Sequence, residues 1–242
     1  MSVFSIEVAG YTISVETVYQ YSYTMCLPFV ISSPTQFHIK ICKEDIDFER
    51  AINSKETNNR NMTDAHYEFL ALLRRISDFL IDCNVLLMHG VAFSVDNKAF
   101  VFTGKSGTGK TTHVFKWMKH RPDLKIINGD KPYIKIAAPP LVCPSPWTGK
   151  EGIYTKIQMP LSAIVIMERA NDNVISQLSF SEALPLLLNS IYLPENPIQK
   201  CKVIKLIKML DDNVQFYYFK VNNLKDDCVS VAYHMLFNVG HK

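Results

Sequence analysis

The middle of the chain contains glycine, lysine and threonine residues with the spacing of a phosphate-binding loop. The pattern G-x-x-x-x-G-K-[ST] is matched without a mismatch. Glycines allow the backbone to wrap around a phosphate chain, so that successive N–H groups face its oxygens. The spacing therefore predicts a loop that binds the phosphates of a nucleotide. The residues concerned are Gly104, Lys105, Ser106, Gly107, Thr108, Gly109, Lys110, Thr111 and Thr112.

Two side chains of this loop have expected roles toward a nucleotide and its metal ion. Lys110 would place a compact cation on the β- and γ-phosphates, and the Thr111 hydroxyl would be a ligand of Mg²⁺. The alternative is a glycine-rich turn that binds nothing. The flanking sequence favours the phosphate loop, because residues 99–103 predict a buried strand before it and residues 112–120 predict a helix after it.

Two residues that each follow a predicted strand are candidates for the chemistry itself. Phosphoryl transfer also needs a carboxylate for the metal and a group that orients or deprotonates the acceptor. Asp130 follows the strand predicted at 124–127, and ligands gather at the carboxyl ends of strands in α/β sheets. The alternative for Asp130 is an ordinary turn aspartate. His89 ends an apolar strand, where by spacing alone a hydrogen-bonded core histidine is the commoner role.

Two further groups of polar residues could contact the acceptor or the phosphates. One lies in a proline-rich loop at 137–152, where a lysine flanked by glycines would reach an anionic group, or where the chain simply forms a surface turn. The other follows an apolar strand predicted at 161–167. Its two charged residues could bind a metal or the substrate, or could form an exposed ion pair. These candidates are Trp147, Gly149, Lys150 and Glu151 in the loop, and Glu168 and Arg169 at the strand end.

The elements that must position these groups are predicted from hydrophobic periodicity. Alternating residues make the first 50 or so positions β-rich, and the polar run 53–63 predicts a surface loop. A helix follows to about Asp82, and a lysine-rich helix is predicted at 195–210. In that helix the apolar residues that repeat every three positions predict the buried stripe: Ile198, Cys201, Ile204, Ile207 and Leu210.

Composition limits the class of protein. A hydrophobic content of 48% in 242 residues fits a globular chain, and a net charge of +3 without a basic run argues against a nucleic-acid partner. No apolar stretch approaches membrane-spanning length, and the N-terminus lacks a signal-peptide pattern. The six cysteines are scattered without a C-x-x-C pair, which is typical of reduced thiols in a cytoplasmic protein.

The order of these motifs resembles a known superfamily. His89-Gly90, then the loop 104–111 after a hairpin, then Gly129-Asp130 after one more strand, is similar to the HPr kinase/phosphorylase and ATP-dependent phosphoenolpyruvate carboxykinase superfamily. The resemblance covers about residues 85–190 and is strongest over 86–131. Residues 146–152 also resemble a segment of small kinase-like members.

The resemblance implies a fold and site assignments. It implies an α/β fold with a mixed, largely antiparallel sheet, a central phosphate loop, flanking helices and a β-rich N-terminal portion. It implies that His89 lies beside the phosphates, that Asp130 is the Mg²⁺-associated carboxylate or acceptor base, and that Glu168 is an additional acid. We expect one kinase-like domain over 1–242, with the β-rich portion at 1–62 and the nucleotide-binding core at 63–242.

One departure from the superfamily concerns the residue after Asp130. The superfamily often has paired aspartates there, but this chain has Lys131, so one role of the pair is missing or supplied elsewhere, or Lys131 instead stabilises phosphate charge. The long C-terminal signature of HPr kinase/phosphorylase is not evident, and the chain is short for a carboxykinase. Neither phosphorylation of HPr nor decarboxylation is therefore expected.

The function predicted from these residues is ATP-dependent phosphoryl transfer. ATP with Mg²⁺ would donate its γ-phosphate to a hydroxyl or carboxylate on a small molecule, peptide or protein, with Asp130, His89 and Lys110 as catalytic residues. The alternative is a non-catalytic ATP-binding sensor or accessory protein that recognises a peptide, which Lys131 favours. Superfamily members often assemble, so a homo-oligomer stays open.

Overall fold

The computed structural model describes residues 2–55 and 62–238, and the chain divides into two compact units, residues 1–83 and 84–242. The first unit contains a four-stranded sheet with the order β3-β1-β2-β4. Strands β1 and β2 are antiparallel and joined at Ala9 and Gly10, both with positive φ. The strands are β1 (Ser2–Val8), β2 (Tyr11–Thr17), β3 (Val30–Ile31) and β4 (Phe37–Lys40).

Helices α1 (Gln20–Cys26), α2 (Lys43–Lys55) and α3 (Asp64–Asp82) complete the first unit, and α3 packs against both of the others. Only α3 was predicted from the sequence. Five of the seven residues of α1, namely Tyr21, Ser22, Tyr23, Thr24 and Cys26, have low helix propensity. The start of the helix is stabilised by Glu68 of α3. This buried carboxylate accepts hydrogen bonds from the Val18 and Tyr19 N–H groups and from the Ser22 hydroxyl.

The division between the units falls after Cys83, so α3 belongs to the first unit, whereas residues 63–82 were expected to open the nucleotide-binding core. The single-domain organisation stays a prediction. The surface loop predicted at 53–63 lies largely outside the described residues, since α2 continues to Lys55 and residues 56–61 are not described.

The second unit is built on a nine-stranded mixed sheet. The order is β5-β9-β10-β11-β7-β6-β8, while β13 also pairs with β11 and β12 pairs with β13. Only the pairs β7–β11 and β11–β13 are parallel among these described strands, so the predicted mixed and largely antiparallel sheet is confirmed. The strands are β5 (Val85–Leu87), β6 (Gly90–Val95), β7 (Lys98–Thr103), β8 (Lys125–Asn128), β9 (Tyr133–Lys135), β10 (Leu141–Cys143), β11 (Met159–Arg169), β12 (Val174–Leu178) and β13 (Gln215–Val221).

The core of this unit holds the strand that precedes the phosphate loop. Strand β7 lies between β6 and β11, and its residues Phe100 and Phe102 are buried with Phe93 of β6 and Trp117. Phe237 packs against both Phe100 and Trp117. Such continuous apolar strands are typical of sheets covered on both faces. The helices are α4 (Lys110–His120), α5 (Phe180–Leu187), α6 (Pro197–Lys208) and α7 (Cys228–Asn238).

Three details of the second unit differ from the sequence prediction. Strand β10 forms inside the proline-rich loop, and β12 was not predicted. The predicted stripe of α6 was wrong in part, because Ile198, Cys201 and Ile204 are exposed. Residues spaced by three turn by about 60° per step around a helix, so such a set cannot all face the core. The buried residues are Val203, Leu206 and Ile207 within α6, and Leu210 just after it.

No helix in the described ranges combines the length and the apolar character needed to cross a bilayer.

Candidate nucleotide site

The phosphate loop connects the end of β7 to the start of α4. Gly104 has φ +138°, and a Cβ there would lie 2.3 Å from the Met167 carbonyl oxygen of β11, so only glycine allows the two strands this close approach. Gly109 is the N-cap of α4 with φ +91°. The order of strand, glycine loop and helix expected from the sequence is therefore confirmed.

Lys110 lies in the first turn of α4 and folds back over the loop. Its ammonium donates hydrogen bonds to the carbonyl oxygens of Gly104 at 2.9 Å and Lys105 at 3.2 Å. The Thr108 hydroxyl donates to the same Lys105 carbonyl at 2.6 Å. Burial lowers the pKa of Lys110, and the charge of Asp130 acts in the opposite direction. The ammonium thus lies over the loop backbone.

The other loop residues present backbone and hydroxyl groups. The residues of the loop apex, Lys105, Ser106 and Gly107, are exposed. Thr111 is half-buried in the first turn of α4, and Thr112 is exposed beside it. The first N–H groups of a helix have no intrahelical acceptor, so this end of α4 offers donors to an anion.

Two side chains from outside the loop hold its backbone. Arg169, at the end of β11, donates to the Gly107 carbonyl at 2.9 Å. Asn223, after β13, donates to the Gly109 carbonyl at 3.1 Å. The neighbouring Glu168 accepts a hydrogen bond from the Tyr218 hydroxyl, which raises the pKa of Tyr218 to about 12. In this part of the described chain Arg169 therefore contacts the loop, while Glu168 contacts a tyrosine.

His89 and Asp130 form a pair next to the loop. His89 Nε2 lies 3.2 Å from Asp130 Oδ1, and both side chains are about one-third exposed. Thr103, the last residue of β7, donates from its hydroxyl to the His89 carbonyl at 2.7 Å. The Gly90 N–H donates to the Asp130 carbonyl at 2.9 Å. The structure therefore brings together two residues that lie 41 positions apart in the sequence.

The electrostatic surroundings keep Asp130 ionised. Burial alone would raise the pKa of Asp130, but the hydrogen bond from His89 and the charges of Lys131 and Lys110 outweigh it and lower the pKa. Burial lowers the pKa of Lys131, whereas the negative charge of Asp130 acts to raise it. Asp130 is therefore a carboxylate at neutral pH, coupled to the lysine of the phosphate loop.

Asn128, a residue that the sequence analysis did not select, shapes the turn that presents Asp130. Its side-chain oxygen accepts from the N–H groups of Asp130 at 2.9 Å and Lys131 at 2.7 Å. Its Nδ2 donates to the Ser145 carbonyl at 3.0 Å, and the side chain is fully buried. The signal available in the sequence was Asn-Gly-Asp, because asparagine often bonds to the backbone two residues on.

The proline-rich loop packs directly against this turn. The Lys131 N–H donates to the Trp147 carbonyl at 3.1 Å. A Cβ on Gly149 would lie 3.0 Å from the Asp130 Cβ, and one on Gly129 would lie 2.6 Å from the Thr148 carbonyl oxygen. Trp147 is buried, whereas Lys150 and Glu151 are exposed beyond Gly149. The loop therefore approaches Asp130 through its backbone.

The donor set fits a magnesium ion that is bound largely by phosphate. Within the described ranges no three histidine, cysteine, aspartate or glutamate side chains come together as a metal site. Mg²⁺ is commonly held by one or two protein oxygens together with substrate phosphates and water. One carboxylate at Asp130 and one hydroxyl at Thr111 are compatible with that arrangement.

Comparisons with known proteins give a distant likeness. No protein-family model matches the chain, and no curated protein matches it. Among solved structures it is similar to the Hpr(Ser) kinase/phosphatase from Coxiella burnetii, with 10% identity and a TM-score of 0.39. The match covers 63% of this chain and 92% of that chain. Because a likeness at this level assigns no activity, the function must be inferred from the residues of the site.

Proposed function

We propose that this protein is an ATP-dependent kinase of the HPr-kinase-like type. It transfers the γ-phosphate to a hydroxyl or carboxylate on a small molecule, peptide or protein. The observation that carries this proposal is the His89–Asp130 pair beside a phosphate loop, with the Asp130 carboxylate electrostatically coupled to Lys110. Phosphoryl transfer needs a carboxylate for the metal ion or for the acceptor proton, and Asp130 supplies an ionised one beside the loop.

Each residue has a distinct part in this proposal. The N–H groups at 104–112 and the Lys110 ammonium bind the phosphates. Thr111 would hold Mg²⁺, which would supply positive charge to the phosphates, and Asp130 would either hold the same ion or act as the acceptor base. The acceptor oxygen forms the new bond to phosphorus as the bond to ADP breaks. Where Asp130 is the acceptor base, the proton of a hydroxyl acceptor passes to its carboxylate. His89 orients that carboxylate through the 3.2 Å contact.

The loop 143–152, with Lys150, is proposed to close over or recognise the acceptor. Gly149 places its backbone against Asp130, and the exposed residues Lys150 and Glu151 follow. Lys150 would bind an anionic group of the acceptor. Since Glu168 bonds to Tyr218, its proposed role is to fix the strand end beside Arg169.

The proposed location is the cytoplasm. All six cysteines lie within the described residues and are free thiols, which supports a reducing compartment.

The test is Mg²⁺-dependent formation of ADP, measured by chromatography. Wild type, Lys110→Ala and Asp130→Asn would be assayed with and without a metabolite and peptide extract. Lys119→Ala is the matched control, because Lys119 is exposed on the same helix away from the loop. We expect extract-dependent turnover that both site variants lose and the control keeps. Full turnover by Lys110→Ala would refute the proposal.

The second candidate function is a non-catalytic ATP sensor or accessory protein. The observation that favours it is Lys131, half-buried beside Asp130 where the superfamily often has a second aspartate. A site with one carboxylate and two lysines suits the binding of phosphates without their transfer. Binding of MgATP by calorimetry, with no ADP formed under any condition, would select this function over the kinase.

A further inference from the structure

A chain of side-chain hydrogen bonds connects helix α4 to the segment between β13 and α7. Trp117 Nε1 donates to His113 Nε2 at 3.0 Å, and His113 Nδ1 lies 2.9 Å from Asn223 Oδ1. Asn223 Nδ2 then donates to the Gly109 carbonyl at 3.1 Å. None of these three side chains has a part in the chemistry proposed above, yet their hydrogen bonds end on the phosphate loop.

The chemistry of each group allows only one order of protons along this chain. An indole N–H can only donate, so His113 Nε2 must accept from Trp117. In a neutral imidazole the proton is then on Nδ1, which donates to Asn223 Oδ1. The Asn223 amide nitrogen is left to donate to the Gly109 carbonyl. His113 is fully buried, and burial lowers its pKa to about 4, so the neutral form prevails near pH 7.

The end of this chain fixes one peptide plane of the phosphate loop. The Gly109 carbonyl accepts from the His113 N–H at 2.9 Å as well as from Asn223. A trans peptide is planar, so holding the Gly109 carbonyl also sets the direction of the Lys110 N–H on the opposite side. That N–H belongs to the first turn of α4, where no intrahelical acceptor exists.

Glycine alone would leave this plane poorly fixed. Gly109 has φ +91°, and a residue without a Cβ explores left-handed and right-handed backbone about equally. The Asn223 side chain occupies the space beside it, since a Cβ on Gly109 would lie 2.5 Å from Asn223 Nδ2. The asparagine therefore supplies both a hydrogen bond and a steric limit.

We propose that Asn223 is a positioning residue of the phosphate loop, which holds the Gly109–Lys110 peptide in the orientation that binds a nucleotide phosphate. This inference rests on the nucleotide binding in the proposed function, but not on phosphoryl transfer. Asn223 acts through Gly109 and touches no reacting atom. The ring of His113 fixes the amide so that its nitrogen faces the loop.

Asn222, the neighbour of Asn223, supports the same segment through other contacts. Comparing the two residues shows whether an effect comes from the Gly109 contact or from general support of the segment. Asn222 Nδ2 donates to the Asn171 carbonyl at 3.0 Å, and its Oδ1 accepts from the Leu224 N–H at 3.0 Å. Its own N–H donates to Asn173 Oδ1 at 2.7 Å. Asn222 therefore ties the segment to the β11–β12 connection, while Asn223 contacts α4. Replacing Asn222 is the matched control for replacing Asn223.

The experiment compares Asn223→Ala, Asn223→Asp and Asn222→Ala with wild type. MgATP affinity is measured by calorimetry, thermal unfolding gives the stability, and ¹⁵N NMR gives the tautomer of His113. An ionised aspartate still accepts from His113 Nδ1 but has no N–H for Gly109. We expect both Asn223 variants to bind MgATP about tenfold more weakly, as the loss of one positioned hydrogen bond implies.

The outcomes separate this inference from the proposed function. Asn222→Ala is expected to bind MgATP like wild type, and Asn223→Asp is expected to keep the Nδ1–H tautomer while losing affinity. Wild-type affinity in a folded Asn223→Asp variant would overturn the inference, as would an equal loss of affinity in Asn222→Ala. A wild-type protein that binds no MgATP would overturn both proposals. MgATP binding without turnover would overturn the kinase alone.

Discussion

His113 should make the stability of the second unit depend on pH in a way that one substitution removes. The imidazole is fully buried between Trp117 and Asn223, and burial, with a smaller effect of the Lys116 charge, lowers its pKa from 6.5 to about 4. The perturbation is His113→Gln, since a glutamine amide can still accept and donate hydrogen bonds but does not titrate.

The sign and size of the effect follow from linkage. The folded pKa lies below the unfolded value, so the unfolded chain binds the extra proton first as the pH falls. The stabilisation is fully present above about pH 6.5 and is lost as the pH falls toward 4. A difference of about 2.5 pKa units corresponds to about 3 kcal/mol of unfolding free energy.

The assay is urea unfolding followed by tryptophan fluorescence at several pH values between 7 and 4. Both tryptophans of the chain, Trp117 and Trp147, lie in the second unit, so their signal reports that unit. Between pH 7 and pH 4 the wild type should lose about 3 kcal/mol more than His113→Gln does. Titration of other groups, including Asp130, is common to both proteins and cancels in this comparison.

His120→Gln is the control for this experiment, because His120 is an exposed histidine on the same helix. It should keep the wild-type dependence on pH. Parallel curves for wild type and His113→Gln from pH 7 to 4 would refute the reasoning, since they would mean that His113 does not remain neutral in the folded state. The proton order derived for the Asn223 contact would then be wrong as well.

Three further predictions concern the site. Gly104→Ala should lose nucleotide binding and destabilise the protein by about 2 kcal/mol or more, because the new Cβ would lie 2.3 Å from the Met167 carbonyl oxygen; calorimetry and thermal unfolding test this, and unchanged binding would contradict it. Gly149→Ala should lower kcat while the Kd for MgATP stays within about twofold, because Gly149 has φ +77° and its new Cβ would lie 3.0 Å from the Asp130 Cβ. A loss of MgATP affinity as large as the loss of kcat would argue against a separate acceptor loop. Arg169→Ala should weaken MgATP binding by about three- to tenfold, because its bond to the Gly107 carbonyl is lost, and Arg169→Lys should restore part of it; binding equal to wild type would show that this contact does not order the loop.

The strand, glycine loop and helix around residues 104–111 could be predicted from the sequence because their signal is local, while phosphate binding by the loop stays a prediction. The glycines, Lys110 and the flanking apolar strand all lie within about fifteen residues, and the structure places them as expected. The prediction that His89 and Asp130 belong to one site depended on the resemblance to a superfamily, because spacing alone favoured a core role for His89. The 3.2 Å contact supports that placement, while the catalytic roles of both residues stay predictions.

The residues that hold the site in place could not be predicted in the same way. Asn223 bonds to a carbonyl 114 positions earlier, and Asn128 bonds to Ser145 across 17 positions. Such bonds between a side chain and a distant backbone group leave no periodic pattern in the sequence. The same reason explains the missed helix α1, since Glu68, which stabilises its start, lies about fifty residues away.

The close packing of Gly129 against the 148 carbonyl, and of Gly149 against Asp130, has a consequence for anyone who redesigns this protein. The two turns fit together through positions that tolerate no side chain, and each glycine makes room for the other segment. A loop transplanted here from another protein would have to bring its own version of residues 128–131. The two turns therefore have to be exchanged together, as one structural unit.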